Sequence, residues 1–158
     1  MTDNKHYLII GVGNTLLSDD GIGIHIIKKM EEEAVLQDAE FLDMGTSSME
    51  LGYYINDSIS KMVIIDSIRS EEEPGTIFRF RPEDLVSRKK ESYSLHQIKL
   101  IDTLKLVSLD KDFPDTIIIG IVPYDVKTFS EQLSARISGD FPDIYGRVLK
   151  VLMEFLEK

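Results

Sequence analysis

Cysteine is absent from this sequence, and with it go disulfides, thiolate zinc sites and a cysteine nucleophile. Any metal must therefore be held by His, Asp or Glu. Positive charge is scarce: 18 Lys and Arg stand against 28 Asp and Glu, a formal net charge of −10. The resulting field repels phosphate backbones and anionic lipid, which argues against nucleic acid and membrane surfaces as partners. No apolar run approaches the roughly 20 residues of a membrane span. The first residues, MTDNKHYLIIGVG, lack the charged, apolar and small-residue regions of a secretory signal. The expectation is a cytoplasmic enzyme or binding protein.

Familiar catalytic signatures are missing as well. Gly11-Val12-Gly13 begins like the dinucleotide fingerprint G-x-G-x-x-G, but Leu16 stands where the third glycine is required, and Gly21 and Gly23 lie too far along to replace it. There is no lysine-bearing phosphate loop, no G-x-S-x-G and no H-E-x-x-H. Nucleotide binding, serine hydrolysis and zincin chemistry thus lack their marks.

What is present reads as one α/β domain over residues 1–158, with 42% hydrophobic and 29% charged residues and enough chain for a sound core. The stretch Leu8 to Met30 organises it. Tyr7 to Val12 is a continuous apolar run, as expected of a strand covered on both faces. A glycine-bracketed loop with Asp19 and Asp20 follows. Ile22, Ile26, Ile27 and Met30 then recur at helical spacing, predicting a helix that ends near Leu36. Further strands are expected at Ala39 to Leu42, ending at Asp43, and at Lys61 to Asp66, with a helix over Ser48 to Asn56 between them.

Thr76 to Phe80 alternates like an edge strand, and Arg81 to Ser92, with its basic Arg88-Lys89-Lys90 cluster, reads as a polar surface loop. Ser94-Leu95-His96-Gln97 has the form of a capping box opening a helix. Thr116 to Val122 is a buried strand, and two helical segments broken near Gly139 to Pro142 close the chain. The alternation predicts a three-layer αβα domain around a twisted, mostly parallel sheet of about five strands, one edge strand antiparallel.

In a doubly wound sheet of order 2-1-3, the loops after strands 1 and 3 flank the point where the winding reverses, and ligands bind there. Asp20 follows strand 1 and Asp66 ends strand 3. A helix opening near Leu95 beside that edge would add His96 from its first turn. Helix N-termini disfavour an imidazolium, so His96 is expected neutral, with a lone pair for a metal. Two carboxylates and one imidazole with an open position suit a borderline divalent ion. Taken singly, each has a plainer reading: Asp19 as a helix N-cap, Asp66 as a turn residue, His96 as an ordinary first-turn residue. Their convergence on one sheet edge favours function. His25 and His6 are read as structural or solvated.

The motifs Gly11-x-Gly13-Asn14-x-Leu16-x-x-Asp19-Asp20-Gly21-x-Gly23, Asp43-x-Gly45-Thr46, Ile64-Ile65-Asp66-Ser67, Ser94-Leu95-His96-Gln97 and Gly120-Ile121-Val122-Pro123 occur in that order over nearly the whole chain. In this the sequence resembles the nickel-iron hydrogenase maturation endopeptidases, which trim a C-terminal extension from the hydrogenase large-subunit precursor after nickel insertion. The resemblance implies that Asp20, Asp66 and His96 are the metal-binding and catalytic positions. It implies that the Asp43, Gly45 and Thr46 loop lies by the cleft and influences substrate selection. It implies too that the nickel arrives with the precursor, the expected partner of a monomeric enzyme. The alternative is a non-catalytic nickel- or precursor-binding chaperone that uses the same crevice; a nucleotide-binding domain comes third.

Overall fold

A computed structural model describes residues 6–86, 93–110 and 113–158. Strand β1 (His6–Val12) leads through a 3₁₀ turn at Ser18–Gly21 into helix α1 (Ile22–Glu32) and strand β2 (Ala39–Gly45). A second 3₁₀ turn, Ser48–Tyr53, precedes β3 (Ile59–Ser67), β4 (Ile77–Phe80) and the short α2 (Pro82–Val86). Helix α3 (Leu95–Val107), β5 (Asp115–Ile121) and α4 (Ala135–Leu156) complete the order. The five strands lie in the order β2-β1-β3-β5-β4, parallel except where β4 meets β5. This is the expected architecture, including the 2-1-3 core and an antiparallel edge.

The continuous apolar runs explain the layers. Alternate residues of a strand face opposite ways, and here both sets are isoleucine-rich. Ile9, Val63, Ile117 and Ile119 pack under α1 and α4, while Leu8, Ile10, Met62, Ile64 and Ile118 pack under α3 and the turn at Ser48–Tyr53. A sheet with both faces covered needs apolar residues at every position of its central strands.

Three boundaries differ from expectation. Helix α1 stops at Glu32 rather than near Leu36, because Ala34 adopts a left-handed φ of 48° that no helix can continue through. The segment after Thr46 forms a 3₁₀ turn, ending at Tyr53 rather than Asn56. The C-terminal region is one helix with Pro142 inside it, not two segments. Ile137, Ile144, Val148, Leu152 and Phe155 form one buried stripe along it. Burying each large apolar side chain contributes about 1.5–3 kcal/mol, more in sum than the ~3 kcal/mol of an interior proline. Of the expected polar loop, Pro82–Val86 is helical with Leu85 buried; the Arg88-Lys89-Lys90 cluster lies outside the described residues. Among the described residues no helix is long and apolar enough to cross a membrane.

Helix α1 lies very close to the sheet at its start. A Cβ on Gly23 would fall 2.1 Å from the Ile65 carbonyl oxygen and 3.1 Å from that of Val12. Only glycine permits this approach, and both contacts are to backbone that cannot swing aside. Gly23→Ala is therefore expected to lose at least about 4 kcal/mol of stability in urea unfolding, or to yield no folded protein; a variant as stable as the parent would mean that α1 can lift off the sheet.

Candidate active site

The C-terminal ends of β1 and β3 are neighbours, with Gly11 opposite Ile65, and the chain after each delivers one carboxylate. Asp20 sits in the 3₁₀ turn before α1, 6% exposed. Its Oδ2 accepts from the Asn14 backbone N–H at 2.9 Å and its Oδ1 from the Ser67 hydroxyl at 3.0 Å. Gly13, at φ 138° and with Asp20 O only 2.1 Å from where a Cβ would stand, folds the loop back tightly enough to allow this. Asp66 is the penultimate residue of β3, and Gln97 donates to its Oδ2 at 3.2 Å and to the Ser67 carbonyl.

His96 enters from the third side. Ser94 and Gln97 form the full capping box, and Ser48 donates to the His96 carbonyl at 3.4 Å. This places the ring between the two carboxylates: Nδ1 is 3.8 Å from Asp20 Oδ2, and Nε2 is 3.6 Å from Asp66 Oδ2. The structure thus brings Asp20, Asp66 and His96 together. Asp20 and His96 border an open cleft of about 370 Å³ that Asn14, Thr46, Arg69, Lys99 and Val126 also line, while Asp66 is buried on the other side of the His96 ring, against a smaller pocket it shares with Gln97.

The electrostatics work against one expectation. His96 was expected to stay neutral at its helix N-terminus. Burial does oppose its charge, but the facing Asp66 and then Asp20 raise its pKa above the ordinary imidazole value. Burial in turn pushes Asp66 up to about 6, against the lowering pull of His96 and Gln97.

As to a metal, the donor set has the right chemistry, and Asp66 Oδ1 is buried with no hydrogen-bond partner among the described residues. An orphaned carboxylate oxygen is a costly thing to keep unless something ligates it. No group of three acidic or imidazole side chains among the described residues is already spaced to hold an ion. The set is gathered but not converged, a partial coordination shell.

Asp19 is not the cap of α1, as its sequence position suggested. The cap residue is Gly21, with no side-chain bond. The fully buried Asp19 carboxylate instead accepts from the backbone of Tyr124, Asp125 and Ser134 and from the Ser134 hydroxyl, at 2.7–3.1 Å. It fastens the loop after β5 against the loop after β1. No local pattern shows this, since the donors lie more than a hundred residues away.

Of the Asp43, Gly45 and Thr46 loop, only Thr46 lines the cleft. Asp43 is exposed, accepting from Gly45 N at 3.0 Å and standing 3.9 Å from Lys28 Nζ. It shapes the turn rather than facing the site. His25 lies in α1 with Nε2 buried and without a hydrogen-bond partner among the described residues, its pKa lowered by burial and by Lys28. His6 sits 3.8 Å from Glu40 at the start of β1, far from these sheet ends. The contributions of Ser67, Gln97, Arg69 and Lys99 carried no signal beyond their place in or beside a motif.

Two measurements follow from this geometry. Asp19→Asn turns an oxygen acceptor into a donor against donors it cannot satisfy, so a loss of about 2–4 kcal/mol is expected in urea unfolding; an unchanged midpoint would remove the clamp. Asp66 has a folded pKa above its unfolded one, so the folded state binds more protons between roughly pH 4 and 6 and stability falls as pH rises through that window. The raised pKa of His96 acts in the same sense, its contribution being present below about pH 6.5 and lost above the folded value. Metal-free protein should therefore lose about 1–1.5 kcal/mol more than Asp66→Asn between pH 5 and 8 through Asp66 alone; parallel stability curves for the two would contradict the assignment.

Relatives with this architecture share an activity. The profile of a family described as hydrogenase maturation protease matches residues 24–151. Hydrogenase 2 maturation protease of Escherichia coli is 35% identical over 121 residues, 73% of this chain and 72% of that protein. The structure of the hydrogenase maturating endopeptidase HybD from E. coli aligns at a TM-score of 0.78 and 28% identity, covering 94% of this chain and 93% of that one. That of the [NiFe] hydrogenase maturation protease HybD from Thermococcus kodakarensis aligns at 0.75 and 28% identity, covering 92% and 98%. With the profile spanning most of the chain and the fold shared along nearly its whole length, the chain belongs to the hydrogenase maturation protease family, enzymes that hydrolyse peptide bonds.

Proposed function

We propose that this chain removes the C-terminal extension of a nickel-iron hydrogenase large-subunit precursor once nickel is in place, and that Asp20, Asp66 and His96 read the nickel. The observation that supports this most directly is the meeting of those three side chains, with the His96 ring between the two carboxylates and Asp66 Oδ1 without a hydrogen-bond partner among the described residues. A site that is only a partial shell suits an ion that keeps ligands of its own on the precursor. Nickel bound there would hold the precursor in register and polarise the nearby peptide carbonyl.

The protein groups would divide the remaining work. Asp66, with its pKa near 6, is matched to taking a proton from water at neutral pH. The oxygen of that water adds to the scissile carbonyl carbon. The proton passes from Asp66 to the leaving amide nitrogen as the C–N bond breaks. A ring nitrogen of His96 can ligate only when it carries no proton. Gln97 keeps Asp66 in orientation through Oδ2. Thr46, on the cleft wall, is the member of its loop placed to touch the substrate and select it.

Nickel-loaded and nickel-free precursor incubated with the protein, with the large-subunit mass followed over time, should show trimming of the loaded form alone and release of the C-terminal peptide. Equal trimming of both would end the nickel reading, and tight binding without released peptide would make the chain a chaperone. Asp66→Asn should slow trimming by at least about 100-fold while remaining folded.

A further inference from the structure

The cleft carries two cations that the reaction above does not use. Arg69 follows β3, Lys99 lies three residues beyond His96 on α3, and both are exposed and line the cleft. Neither makes an ion pair among the described residues, whereas Lys28, Lys29, Arg81, Lys105, Arg136 and Arg147 all do. Nor are the two engaged with the site's own carboxylates. The oxygens of Asp20 are taken by Asn14 and Ser67, and Asp66 Oδ2 by Gln97. Arg69 is close enough for its charge to oppose that of His96, yet it stands outside ion-pair distance of both aspartates.

Two uncommitted cations on one cleft, whose neighbouring carboxylates are held by other partners, are placed to pair with an anion brought in by a ligand. Leu17, Leu95 and Val126 give the same cleft apolar walls, with Leu95 69% exposed. An anion that sits among apolar walls beside a peptidase site is a carboxylate on a peptide. We propose that Arg69 and Lys99 form a carboxylate-binding subsite for the polypeptide being cut, taking an acidic side chain or the chain's terminal α-carboxylate. The guanidinium would fix the carboxylate's plane through two N–H donors, and the ammonium would add charge. The subsite sets which segment settles in the cleft and in which direction it runs. It rests on reading this cleft as the place of peptide hydrolysis.

The test uses fluorescein-labelled peptides spanning the cut site of the precursor from the same genome. One has the native sequence, one has Asp and Glu replaced by Asn and Gln, and one has an amidated C-terminus. Binding is followed by fluorescence anisotropy with the intact protein, the Arg69→Gln/Lys99→Gln variant, and Lys150→Gln as a charge control on the exposed face of α4. The double variant should bind the native peptide about five- to ten-fold more weakly, as expected for two partly exposed ion pairs, and the difference should shrink at high salt. Lys150→Gln should bind like the parent. Whichever neutralised peptide loses affinity for the parent identifies the carboxylate that is held. Equal binding by parent and double variant, equal binding of all three peptides, or no binding by the parent overturns the subsite. Trimming of the whole precursor is scored separately. A parent protein that binds by charge but does not cut removes the peptidase reading alone, and one that cuts but binds without regard to charge removes the subsite alone.

Discussion

The contact on which the rest of this structure depends is the one between Gly23 and the Ile65 carbonyl, where the first turn of α1 lies directly on the sheet. A helix packed on a sheet normally stands off by the thickness of its side chains, about 10 Å between axis and sheet. Removing one Cβ lets the N-terminal end of α1 descend to the strands. The 3₁₀ turn just before it is then pressed into the crevice between β1 and β3, and its residues Ser18 to Gly21 are all buried. A buried turn with two aspartates must satisfy both of them. One finds partners in the loop after β5 and the other in Ser67 at the end of β3. Adjacent residues point apart, so a single close packing event yields a wall clamp and a site carboxylate side by side.

Competing magnitudes decide the state of the histidine. A helix N-terminus is worth some 0.3–1 kcal/mol against a cation in its first turn. A unit charge at 4 Å, at the effective dielectric of a partly buried site, is worth roughly 4 kcal/mol, and His96 faces one carboxylate at 3.6 Å and another at 3.8 Å. The carboxylates therefore win over both the helix end and burial, and the imidazole titrates above its ordinary value. A proton on the ring would stand in for the positive charge that the two aspartates otherwise share with a bound ion. Loading and protonation thus compete for the same three side chains.

This balance shows which parts of the protein could be read from the sequence. Apolar runs and their continuity revealed the strands, since a strand covered on both faces leaves a mark that depends only on its own residues. The order of elements and the rule that ligands sit where the winding reverses brought Asp20 and Asp66 together, and the capping box put His96 in a first turn. What could not be read was set by residues distant in sequence. Asp19 looks like a cap because caps are local, but its partners begin at Tyr124. Pro142 looks like a break because proline breaks isolated helices, but the stripe from Ile137 to Phe155 is held by the whole sheet. His96 looked neutral because only its own helix was visible.

Gln97 shows how a local rule and a distant need can select one residue. A capping box accepts either Glu or Gln at this position, because only a side-chain oxygen is needed to receive the N-cap N–H. Gln97 Oε1 does that for Ser94. The other end of the amide points the opposite way, donating to Asp66 Oδ2 and to the Ser67 carbonyl. A glutamate would cap equally well but would set a third carboxylate beside Asp20 and Asp66, with no proton to offer either acceptor. Like charges that close raise each other's pKa values steeply. The amide is thus the side chain that closes the helix and orients the carboxylate with the same three torsions. Asp66 Oδ1 is left as the one oxygen of the pair without a hydrogen-bond partner among the described residues.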